Sequence, residues 1–79
     1  MELWEYYDRV EKLIVALRDE GFSADADRAE TAIRGGATSG EILGRLSLAL
    51  PPVADSAPSF QAEVHDLAAW TKKALRPDR

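Results

Sequence analysis

His65 is the only histidine in the chain, and an imidazole titrates close enough to neutrality to serve as a general base or a metal ligand. It has no companion for either task. The chain contains no cysteine, which removes thiolate nucleophiles, disulfides and the common structural zinc sites together. Among the acids, Glu2, Glu5, Asp8 and Glu11 recur every third residue, and paired carboxylates can hydrolyse glycosides or hold divalent ions. That chemistry needs a cleft that shifts pKa values, whereas this strip runs beside an apolar stripe where water reaches it. The segment Gly35-Gly36-Ala37-Thr38-Ser39-Gly40 has the glycines of a phosphate-cradling loop but neither its lysine nor the preceding strand. The pattern therefore assigns no catalytic, cofactor-binding or metal-ligating residue, and predicts a protein that is not an enzyme.

Binding to another protein is the chemistry these residues suit better. Trp4 lies about 100° around the first helix from Leu3 and next to Val15, off the main apolar stripe, and Trp70 flanks the stripe of the last helix. Packing in a bundle that wraps helix 1 on two sides favours burial of both rings. An exposed ring among polar neighbours would instead be an anchor of the kind that dominates binding energies. Ten Lys and Arg face 14 Asp and Glu, for a formal charge of −4, and the imbalance sits at one end. Residues 1–30 hold nine acids and four bases, a balance of −5. Such charge keeps a small protein soluble and also steers encounter with a basic partner while repelling nucleic acid. Trp4, Glu5, Asp8, Glu11, Asp25 and Asp27 are accordingly the candidate partner-binding residues.

These residues must be positioned by helices, because no stretch alternates as a strand does. At 79 residues one core must serve a single domain spanning 1–79, and a chain this short buries only roughly 60% of its unfolded surface. Leu3, Tyr6/Tyr7, Val10, Leu13/Ile14 and Leu17 predict a helix from Glu2 to Glu20, ended by Gly21 with Phe22 folded back on Leu17. Ser23 is the expected N-cap of a second helix, with Asp25 and Asp27 at its positive end and Ala26, Ala29, Ala32 and Ile33 on its buried face. Gly35-Gly36 ends it. Thr38 and Glu41 form a capping box for a third helix with Ile42, Leu43, Leu46, Ala49 and Leu50 buried, and Pro51-Pro52 should stop it at Leu50. A loop from Pro51 to Ser59 then leads to a fourth helix, from about Phe60 to Leu75, with Phe60, Val64, Leu67, Ala68, Thr71, Ala74 and Leu75 on one face and Pro77 closing it. The fold class is all-α, a small four-helix bundle of three to four antiparallel helices with short turns. No apolar run approaches the ~20 residues of a membrane span and no secretory leader is legible, so the expectation is a cytoplasmic protein with no membrane partner.

The second helix, its glycine turn and the third helix echo a DNA-reading helix-turn-helix. Arg34 and Arg45 are nearly alone there as phosphate contacts, so no nucleic-acid partner is expected. From Leu13 to Leu50 the chain has a helix ending in Gly-Phe, a short Ala/Asp/Arg helix, and the turn Gly35-Gly36-Ala37-Thr38-Ser39-Gly40-Glu41-Ile42-Leu43. This half of the chain resembles small bacterial helical proteins with a G-x-T-x-x-E-I-L turn, some of them similar to immunity proteins of contact-dependent or polymorphic toxin systems. The resemblance implies a stoichiometric inhibitor that covers a cognate toxin domain, for example a nuclease with a basic groove; no residue role carries over, because the motif is a capping signature. The alternative is a homo-oligomeric structural or regulatory adaptor, such as a homodimer, that self-associates through Trp4 and Trp70.

Overall fold

Four α-helices and one 3-10 turn account for nearly all of residues 1–76, the part of the chain that the computed structural model describes. They are α1 (Leu3–Asp19), α2 (Ser23–Gly35), α3 (Ser39–Ser56) and α4 (Gln61–Leu75), with the 3-10 turn Pro58–Phe60 leading into α4. There is no strand among the described residues, and the architecture is a small four-helix bundle. Consecutive helices pack on one another, α3 most extensively on α4. The bundle is elongated, 41 × 24 × 19 Å. Among the described residues no helix is long and apolar enough to cross a membrane.

The stripe of α1 is buried as its spacing predicts, at Tyr6, Val10, Leu13, Ile14 and Leu17. Its end is a Schellman turn: Gly21 takes φ +90°, Phe22 N–H donates to Leu17 O at 2.8 Å and Gly21 N–H to Arg18 O at 3.1 Å. Only glycine enters that left-handed conformation without strain. The turn also changes how α2 begins. Ser23 is not the N-cap but the first helical residue, and no side chain caps the helix. Phe22, already fixed by the turn, supplies the carbonyl for the first helical bond, from Ala26 N–H at 3.0 Å, so no residue is left between the two elements to act as a cap.

Thr38 caps α3 as expected, its hydroxyl accepting from Glu41 N–H at 3.2 Å. The Glu41 carboxylate reaches one residue further back than a standard box, to Ala37 N–H at 3.0 Å. Gly36 is demanded here by space, since a Cβ would lie 2.8 Å from both Cγ1 and N of Ile42. The expected stop at Leu50 is overturned: α3 contains Pro51 and Pro52 and runs on to Ser56. An interior proline costs about 3 kcal/mol and orphans a carbonyl four residues back. The two carbonyls concerned belong to Ser47 and Leu48, and Leu48 is 79% exposed, so water can satisfy that side of the helix. On the other side the stripe continues unbroken through Val53, Ala54 and Ala57, all buried, and Ala57 N–H still closes on Val53 O at 2.8 Å. Burial at about 25 cal/mol per Å² of apolar surface outweighs the local penalty. The predicted loop from Pro51 to Ser59 is thus mostly helix.

Along α4 the buried positions are Val64, Leu67 and Thr71. Ala74 and Leu75, expected on the same face, are exposed, because Tyr6 meets Thr71 and no helix covers the turn beyond. The expected terminator Pro77 lies outside the described residues. Contact between α4 and α1 is made by long side chains. The Thr71 hydroxyl donates to Leu67 O at 2.7 Å, so the hydrogen bond it shares with the Tyr6 hydroxyl must be donated by Tyr6. Both residues are fully buried. Trp70 stacks on the Tyr6 ring, with centroids 4.4 Å apart. Arg9 clamps the same helices, with Nη2 2.6 Å from Glu63 Oε1 and 2.8 Å from Asp66 Oδ2.

Candidate protein-binding surface on helix α1

The outer side of α1, opposite its buried stripe, carries the first candidate site. Trp4 is 70% exposed and Val15 59%. Eleven residues separate them, about 20° more than three whole turns, which puts the two side chains on one strip about 16 Å apart. The burial of both tryptophans that bundle packing favoured holds only for Trp70, which is partly buried against the core. Trp4 stands free because α1 is flanked closely by α2 alone, while α4 reaches it from the core side through Tyr6 and Arg9. Trp70 packs against the core and keeps part of its ring at the surface.

The acids beside Trp4 are less available than their number suggests. Asp8 pairs with Lys12 at 3.0 Å. Glu11 meets Arg34 at 3.2 Å, and Arg34 also holds Glu30 at 3.2 Å. Arg18 bridges Asp27 at 2.8 Å and Glu30. Glu30 consequently ionises more readily than an ordinary glutamate, chiefly through Arg34 and then Arg18. Asp25 was expected on the contact surface and is instead buried, its carboxylate 3.0 Å from Arg28 one turn on; it sits at the third residue of α2, where the helix dipole favours a negative charge. Glu5 is partly buried and accepts from Glu2 N–H at 2.9 Å. Of the six candidates, the structure keeps Trp4 and Asp8 exposed on one strip with Glu11 at its edge. Glu5 is a cap, Asp27 lies on α2 in an ion pair, and Asp25 is withdrawn from the surface.

Ion pairing redistributes local charge without removing the net imbalance. Residues 1–34 hold nine acids and five bases, so the α1–α2 layer keeps a balance of −4. The acids of that layer that form neither an ion pair nor a cap with another described residue are Asp19 and Glu20, at the C-terminal end of α1. The signal for these pairs was present in the sequence as Glu30/Arg34 and Asp8/Lys12, each four residues apart with the acid first. Arg18 and Glu11, which join the two helices, have no such local signature.

A second concave surface went unread in the sequence. It is a groove of about 910 Å³ between α3 and α4, whose lining includes Pro51, Ala54, Ala68, Ala69, Lys72 and Arg76. His65 is exposed on its wall with Asp55. No group of three or more His, Cys, Asp or Glu side chains among the described residues is placed to hold a metal ion. Compared with protein-family models, with curated proteins and with solved structures, the chain finds no match.

Proposed function

We propose that this protein is a protein-binding module that engages its partner through the outer face of α1, in the manner of an immunity-type inhibitor covering a toxin domain. The carrying observation is Trp4, 70% exposed on the outer face of α1 with Val15 on the same strip and Asp8 and Glu11 beside it. A large aromatic held outside the core by a rigid helix supplies apolar contact area at low ordering cost, which is why tryptophan dominates binding hot spots. The −4 balance of the α1–α2 layer suits a basic surface on the partner. Net charge governs approach over a Debye length, about 8 Å at physiological salt, and so acts on association rate, whereas the desolvated ring acts on residence time.

The test is calorimetric titration of the purified protein against the product of the neighbouring gene, combined with a cell-protection assay in which the two are co-expressed. Trp4→Ala should weaken binding about 30-fold or more, the scale of a hot-spot residue, with circular dichroism unchanged. Asp19→Lys with Glu20→Lys should slow association and flatten its salt dependence. Wild-type affinity and protection in both variants would refute the α1 reading.

A further inference from the structure

We propose that the α3–α4 groove receives the outer face of α1 from a second copy of this chain, so that self-association and partner binding draw on the same α1 face. Exposed apolar groups point to it first. The large exposed hydrophobic side chains among the described residues are Met1, Trp4, Val15, Leu48 and Leu75. Trp4 and Val15 belong to α1, and Met1 lies two residues before it. Leu75 lines the groove, and Leu48 is seven residues before the groove residue Asp55, which puts both on one side of α3.

Charge complementarity points to the same occupant. The bases Arg9, Lys12, Arg18, Arg28 and Arg34 are all held in ion pairs. Arg45, Lys72, Lys73 and Arg76 form none with another described residue, and of these Lys72 and Arg76 flank the open end of the groove. The groove's acid, Asp55, lies at its other end, near the connection between the two helices. Of the unengaged carboxylates, Asp19 lies at the C-terminal end of α1 about 60° around from Trp4 at its other end, and Glu20 follows as the C-cap. A helix laid along the groove with Asp19 over Lys72 and Arg76, and Glu20 beside them at the groove's open end, therefore sets its aromatic end toward Asp55. The floor, Ala54, Ala68 and Ala69, is small enough for close approach of a helix. Because the two surfaces differ, the contact either closes reciprocally in a two-fold pair or is heterologous and closes as a ring or grows as a chain.

Sedimentation equilibrium of the full chain over a wide concentration range, at low and at high salt, tests this. The mean mass should rise above the monomer's with concentration and fall back with salt. Trp4→Ala should weaken association about 30-fold, as should Lys72→Glu with Arg76→Glu. Combining that pair with Asp19→Lys and Glu20→Lys should restore association by exchanging the two charge sets. A monomer at every concentration, association untouched by the groove variants, or a charge exchange that restores nothing would each overturn the proposal. Groove variants leave α1 intact, so they separate its failure from failure of α1 as a partner-binding face: the first shows in the mean mass alone, the second in the calorimetric titration.

Discussion

Removing the Thr71 hydroxyl should cost more than removing it together with its partner. Tyr6 and Thr71 are both fully buried, and the hydrogen-bond direction runs from Tyr6 to Thr71 and from Thr71 to Leu67 O. Thr71→Val keeps the shape and leaves the Tyr6 hydroxyl as a buried donor without an acceptor, at a cost of about 1–3 kcal/mol. For a domain of this size that lowers Tm by roughly 4–8 °C per kcal/mol. Tyr6→Phe retains the ring that stacks on Trp70 and leaves Thr71 still donating to Leu67, so it should cost about 0.5–1.5 kcal/mol. The double variant replaces both polar ends by apolar groups and should be near neutral, hence more stable than Thr71→Val alone. Guanidinium unfolding of the four proteins, followed by far-ultraviolet circular dichroism, measures the cycle. Additive losses, or a double variant no more stable than Thr71→Val, would refute the assigned donor direction and the burial argument together.

Burial raises the Tyr6 pKa above its ordinary value, against the opposing effect of its hydrogen bond with Thr71. The folded state therefore holds this proton more tightly than the unfolded state, so the associated stability is complete below about pH 10 and is lost as pH rises past it; alkaline unfolding of Tyr6→Phe should show a shallower pH dependence above that point. Gly36→Ala should destabilise by about 2 kcal/mol or more through the clash with Ile42, whereas Gly44→Ala, whose Cβ would meet nothing within 4 Å, should stabilise by about 0.5–1 kcal/mol, both read from unfolding midpoints. Thr38→Ala should cost about 0.5–2 kcal/mol by loss of the α3 cap, and an unchanged midpoint would count against that cap.

Much of the fold was legible because its signals are local. The Gly21-Phe22 ending, the Thr38 cap and the stripe of α1 each lie within one or two turns of chain. Pro51-Pro52 misled because a local rule about helix interiors met a tertiary gain, and the continuing stripe at Val53, Ala54 and Ala57 was the evidence to weigh against it. The candidate surface was legible in part for the same reason. Trp4 could be placed off the stripe by angle alone, but whether a neighbouring helix covers it depends on how α4 docks. Asp25 read as a surface carboxylate because helix-start position is local and burial is not. The α3–α4 groove had no sequence signature, being a relation between two helices whose register is set by packing.

The prolines of α3 also bear on what it costs to bind there. Pro51 and the alanines 54, 68 and 69 that line the groove have no side-chain rotamers to lose, so a docking chain meets a wall already in its final shape. Ordering long side chains at an interface costs about 0.5–1.5 kcal/mol each, and here that cost falls on the groove's rim and on whatever enters. Recognition at such a surface would be set by the shape of the incoming helix more than by adjustment of the groove.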